Sequence, residues 1–285
     1  MFVDDTYLIH TTQNPSIPLS QVINNDINAW NKSLTITGGK LEPTKTSYYE
    51  IQWKFREDGS PYIYDSKDDH HQVSITTDNQ SVPIQKTSHS NHPKGFKSLG
   101  VRTPGDLTDK YEFHHCVEKT KLFTRCLRAC PLQHHEAWLA YKQYFLPSIT
   151  YGSLTHSLTD KQCGVLHKTL LPTLLPKLGC TRTMRREVVF GPRESGGLGI
   201  QDFGSIILQH KIQTIIKHVR ASNAIGTAFL VVLTWAQHQS GFAKPILEST
   251  KSIAHIESIW MTHLHKGLQK IQGELHLQNP WTISH

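Results

Sequence analysis

Apolar residues between Pro18 and Gly39 fall at helical spacing. Ile23, Ile27, Trp30 and Leu34 line one face, Pro18 stands where a helix can open, and Gly38-Gly39 supplies a stop. The period then changes to two. Tyr49, Ile51, Trp53 and Phe55 alternate with Glu50, Gln52 and Lys54, which predicts a strand with one buried face. Asp58-Gly59 is a turn signal and Tyr62-Ile63-Tyr64 the return strand. Val73/Ile75 and Val82/Ile84 predict two further short strands, Tyr7-Leu8-Ile9 another near the start, and residues 85–96 an exposed loop.

From about Thr108 the helical period takes over. Pro131 starts a segment carrying Trp138, Tyr141 and Phe145 and ending before Pro147. Thr159-Asp-Lys-Gln162 has capping-box spacing ahead of Val165, Leu166 and Leu170. Asp202 caps a helix with Phe203, Ile206, Leu208, Ile212, Ile215 and Val219 on its apolar face, and amphipathic stretches follow near 224–239 and 250–272. The pattern predicts an α+β chain, with β-hairpins in the first third and helices after it. Trp30, Trp53, Trp138, Trp235 and Trp260 sit in apolar periodic patterns and are expected in cores.

Composition narrows the class. A hydrophobic fraction of 37% over 285 residues supplies a core, which argues against wholesale disorder. The longest apolar run, 228–236, is too short to cross a bilayer, and Met-Phe-Val-Asp-Asp lacks the features of a signal peptide. Five cysteines without a CxxC pair favour a reduced, intracellular chain, with nucleus and cytoplasm not distinguished. Charge is asymmetric: residues 1–100 carry 9 Lys and Arg against 11 Asp and Glu, residues 101–285 carry 21 against 12. A basic second part suits a polyanionic partner such as nucleic acid.

Three groups of residues carry candidate chemistry. Asp4 and Asp5 lie side by side between Phe2-Val3 and Tyr7-Leu8-Ile9. They fit either a polar hairpin turn or a divalent-metal site, since Mg²⁺ takes hard carboxylate oxygens. Cys126, Cys130 and His134 are spaced by four, yet Pro131 interrupts the helix that would align them, and buried small hydrophobes are the simpler reading of the two cysteines. Arg182, Arg185, Arg186 and Arg193 form the densest arginine cluster, next to Gly196-Gly197-Leu198-Gly199. Arginine forks suit phosphate oxygens, so this segment reads as a backbone contact for nucleic acid or as a solvated loop.

The order of these features resembles reverse transcriptases of the non-LTR retrotransposon type. Phe2-Val3-Asp4-Asp5 is similar to their Tyr/Phe-x-Asp-Asp loop between two palm strands. A strand, a helix and Gly39-Lys40-Leu41-Glu42-Pro43-Thr44-Lys45 follow, similar to the family's Gly-x-x-Leu-x-x-x-Lys segment. Ser98-Leu99-Gly100-Val101 resembles the primer-grip hairpin, and Pro192 to Ile200 the Pro-x-x-x-Gly-Gly-Leu-Gly segment after the thumb. The resemblance covers residues 1 to about 222. It implies a partial palm at 1–101 with an insertion at about 52–92, a thumb-like region at 102–222 and a helical tail at 223–285. It also implies an RNA-directed DNA polymerase using Mg²⁺ or Mn²⁺, an RNA template and a DNA primer. Asp4 and Asp5 would then be catalytic metal ligands, and Lys45 would meet the incoming nucleotide. Phe2, Leu99 and Gly100 would lie along the primer, with Arg182, Arg185, Arg186 and Arg193 as candidate nucleic-acid contacts. The family's upstream palm aspartate and fingers have no counterpart in the sequence, which implies a piece inactive by itself. A non-catalytic basic nucleic-acid-binding module is the alternative.

Overall fold

A computed structural model of the chain describes Leu8, residues 19–49, 52–57, 59, 61–64, 72–77, 80–87, 96–98, 101–103, 109–253, 256 and 258–277. It divides into two compact units, Met1–Thr108 and Asp109–His285. Helices dominate and the strands are few and short, an α+β composition.

In the first unit, helix α1 (Leu19–Ile36) begins immediately after Pro18 and ends at Gly38, whose positive φ of 80° suits a glycine beyond a helix end. Ile23 and Ile27 pack with Tyr48, Val73, Ile75 and Ile84 in a small core flanked by Leu19 and Leu41. The strands are β1 (Ser47–Tyr49), β2 (Gln52–Phe55), β3 (Pro61–Tyr64), β4 (Ser74–Thr77), β5 (Gln80–Pro83), β6 (Gln85–Thr87), β7 (Phe96–Ser98) and β8 (Val101–Thr103). They pair two by two: β2 with β3, β4 with β5 and β7 with β8 antiparallel, β1 with β6 parallel. The hairpin expected around Asp58-Gly59 is therefore present, and the two short strands expected at Val73/Ile75 and Val82/Ile84 are β4 and β5, which pair with each other. The loop expected at 85–96 is in part strand, because Gln85–Thr87 finds its partner about forty residues upstream at Ser47–Tyr49, beyond the reach of a local pattern.

Three asparagines one turn apart dock α1 onto β4. Asn24 Oδ1 accepts from Ser74 N at 2.8 Å, and Asn28 Oδ1 from Thr76 N at 3.0 Å. Asn28 Nδ2 donates to Ser74 O at 3.3 Å, and Asn31 Nδ2 to Thr76 O at 3.0 Å. Amide side chains, which both donate and accept, thus take the place of a neighbouring strand along this edge.

The second unit contains α2 (Lys110–Ala129), α3 (His134–Leu139), a π-helical stretch (Ala140–Phe145), α4 (Leu146–Thr150), α5 (Asp160–Lys177), α6 (Arg186–Phe190), α7 (Phe203–Arg220), α8 (Ala224–Ser240) and α9 (Ile259–Lys270). One apolar cluster joins α2 through α7 around Leu166, Leu170, Leu171, Leu174 and Leu175 of α5. A second joins α7, α8 and α9 around Ile215, Leu233, Met261 and Leu264. The expected caps are in place: Thr159 and Gln162 make the reciprocal box, and Asp202 accepts from Ser205 N at 2.9 Å.

Four expectations need correction. The helical segment does not stop before Pro147. Leu146 N bonds back five residues to Tyr141 O, and in that wider register Pro147 enters α4 at its first turn, where a missing N–H does least harm. The last stretch, expected at 250–272, is helical only from Ile259. Cys126 and Cys130 are exposed, and Trp235 is 57% exposed. The buried stripe of α2 is instead Glu112, Cys116, Thr120, Thr124 and Leu127. Among the described residues no single helix is long and apolar enough to cross a membrane; α7 and α8 pass only as a pair bent by 112°.

Candidate nucleic-acid interface

The arginine cluster lies on a turn system between α5 and α7. Gly179, with φ of 77°, ends α5, and Cys180 N returns to Leu175 O at 2.9 Å. Residues 181–185 lead into α6, which buries Val189 and sets Phe190 against the His167 ring at 4.8 Å. His167 also stacks on Phe203 at 4.5 Å; burial pushes its pKa down, with Asp202 opposing and Arg186 adding to the fall.

The glycine segment clasps α6 from the other side. Leu198 N donates to Val188 O at 2.8 Å, Ile200 N to Val189 O at 3.1 Å and Gly199 N to Gly191 O at 2.9 Å. A Cβ on Gly197 would stand 2.2 Å from Gly191 O, and one on Gly191 would stand 2.6 Å from Glu187 O. Both glycines are thus required by close backbone approach, while Gly196 supplies a left-handed turn with φ of 81°. Ile200 is buried in the core, and Gln201 N donates to Tyr141 Oη at 3.2 Å. Burial raises the Tyr141 pKa to about 12.

This scaffold separates the four arginines. Arg193 lies over the Trp138 ring at 4.0 Å and donates from Nε to Leu198 O at 3.2 Å, so it staples the glycine turn to α3. Arg182, Arg185 and Arg186 are exposed and line one open depression with Thr183, Met184 and Glu187, and their guanidinium groups have no hydrogen-bond or ion-pair partner among the described residues. Three guanidinium forks on a braced turn can engage successive phosphate oxygens. The Trp138–Arg193 stack was missed in the sequence, where Trp138 reads as core.

Of the remaining candidates, Lys45 is exposed at the end of a 3₁₀ turn, Pro43–Lys45. Glu42 caps that turn by accepting from Thr44 Oγ1 at 2.8 Å, and this bond lowers its pKa, with Lys45 and Lys40 contributing. Asn31 Oδ1 accepts from Leu41 N at 3.4 Å and ties the segment to α1. Phe2, Asp4, Asp5, Leu99 and Gly100 lie outside the described residues. Among those described, no group of three His, Cys, Asp or Glu is placed to hold a metal ion. Comparison of the chain with protein-family models, curated proteins and solved structures finds no match.

Proposed function

We propose that the chain is the C-terminal part of a reverse transcriptase of the non-LTR retrotransposon type, and that its helical unit grips the phosphate backbone through Arg182, Arg185 and Arg186. The observation that carries the reading is the depression formed by these three exposed, unpaired arginines on a turn fixed by the Gly191–Gly199 clasp. The ordered sequence resemblance from Phe2-Val3-Asp4-Asp5 to Pro192–Ile200 supplies the family.

On this reading Asp4 and Asp5 hold Mg²⁺ or Mn²⁺, whose chemistry is to activate a primer 3′-hydroxyl and neutralise the leaving pyrophosphate. Lys45, which matches the lysine that ends the family's Gly-x-x-Leu-x-x-x-Lys segment, meets the nucleotide phosphates. The chain's own contribution in 109–285 is positional: fixed guanidinium groups hold the template–primer by charge without reading bases. Primer extension by the chain alone is not expected, because the family's further palm aspartate and fingers have no match in these 285 residues.

The test is binding to an RNA–DNA duplex across a salt series. Arg185→Ala with Arg186→Ala is expected to weaken binding similarly for unrelated sequences and to flatten the salt slope by about one per arginine removed. Binding unchanged in this double variant would sink the interface. The alternative, a non-catalytic nucleic-acid module, is favoured by the arginines lying wholly within the unit 109–285. Extension that appears when fingers and first palm strands are supplied, and disappears with Asp4→Ala, separates the enzyme from the module.

A further inference from the structure

A polar cluster lies inside the second unit, where α2 begins. Asp109 precedes the helix. Its Oδ1 stands 2.7 Å from Nδ1 of His156, and its Oδ2 accepts from Ser157 N at 3.1 Å. Ser157 Oγ accepts from Nζ of the fully buried Lys211, which also donates to Trp260 O at 3.4 Å. In the neutral imidazole a carboxylate facing Nδ1 places the proton on Nδ1 and leaves an acceptor lone pair on Nε2.

That lone pair is unmet. His156 is 7% exposed, and its Nε2 is buried without a hydrogen-bond partner. Burying such an acceptor forfeits its hydration with no return. His156 lines a small cavity with Glu112, Cys116 and Thr150 and with the apolar Ile149, Leu158 and Phe203. The cavity leaves about 10 Å³ for the centre of a water-sized sphere, room for one molecule.

Size and chemistry together restrict the occupant. The space suits a single small molecule, and among the described residues no group of three ligating side chains is placed to hold a metal ion. We propose that this cavity is a binding site for one small neutral hydrogen-bond donor, a water molecule, which donates to His156 Nε2. Thr150 Oγ1 donates its own proton to Leu146 O at 2.9 Å and keeps lone pairs to accept the water's second proton. The bound water then extends the chain from Lys211 through Ser157, Asp109 and His156 to Thr150 of α4, so that these elements share one hydrogen-bonded network. The site is independent of nucleic-acid binding.

The experiment uses the full chain, labelled with ¹⁵N and ¹³C at histidine and at Ile, Leu and Thr methyls. Cross-relaxation from a long-lived water to the His156 ring protons is expected, with an Nε2 shift of an accepting nitrogen. Xenon under pressure should leave the Ile149 and Leu158 methyls unmoved, because a wet polar site excludes it. A missing water signal together with xenon-induced shifts would mean a dry cavity and overturn the proposal. So would an Nε2 that carries the proton. In His156→Phe the water signal at the Thr150 methyl should vanish, and its survival would place the water elsewhere. Should that variant fail to fold, the wild-type readings decide alone.

Discussion

Lys211 has no exposure, and burial pushes its pKa down to about 8, with Asp109 opposing. The unfolded side chain keeps the ordinary lysine value of 10.5. Below pH 8 both states are protonated and the folded state bears the full desolvation penalty. Between pH 8 and 10.5 the unfolded chain binds the extra proton, so this residue alone makes stability rise with pH, by about 3 kcal/mol over the window. Cys116 and Cys163 act oppositely: burial pushes both up to about 12, so above the ordinary thiol value of 9.0 the unfolded thiols ionise first and stability falls. Each proton changes stability by about 1.4 kcal/mol per pH unit, so two falling thiols outweigh one rising lysine above pH 9. His167, His263 and His265 are lowered by burial, which places a further rise on the acid side of 6.5. Denaturant unfolding across pH is therefore expected to show greatest stability near pH 9. Lys211→Met should be more stable than wild type at pH 7, with no rise between 8 and 9. A wild-type curve already falling from pH 8 would refute the buried neutralised lysine.

At the scale of the element, the clasp around α6 makes an asymmetric demand on two adjacent glycines. Gly196 needs only its left-handed φ, since a Cβ there meets nothing within 4 Å, whereas on Gly197 it meets the Gly191 backbone at 2.2 Å. Gly196→Ala is expected to cost about 1 kcal/mol, the strain of a left-handed alanine. Gly197→Ala should cost several-fold more and lower the melting temperature accordingly; equal losses would mean the clasp is not closed in solution. The glycine run itself was legible in the sequence, but its purpose was not, because the steric partner lies six residues away. The same contrast holds elsewhere. Thr159 and Asp202 announce their helices because a cap acts within three residues. The polar buried stripe of α2 hides itself, since Thr120 satisfies its hydroxyl on Cys116 O and Thr124 on Lys121 O. The role of Asn24, Asn28 and Asn31 shows only when β4 is placed against them. Of the candidate site, the arginine cluster was legible as a density of charge, while Arg193 was set apart only by the Trp138 ring.

At the scale of the molecule, the division at 108/109 separates the apolar clusters. Among the described residues the first unit's cluster holds six buried residues, and the second unit's two clusters hold seventeen and eight. Apolar burial is the main stabilising term, at roughly 25 cal/mol per Å². The unit 109–285 should therefore outlast the unit 1–108 on heating, giving two calorimetric transitions with the smaller one first. Nucleic acid offers a way to locate the interface through the same measurement. A ligand that binds only the folded form adds about 2.7 kcal/mol at a hundred times its Kd. If Arg182, Arg185 and Arg186 carry the contact, an RNA–DNA duplex should raise the upper transition and leave the lower one in place. With Arg185→Ala and Arg186→Ala that rise should shrink while both transitions stay close to where they stand without ligand, since the two side chains are exposed. A duplex that instead raised the lower transition would move the binding surface to residues 1–108, and with it the search for whatever holds the primer.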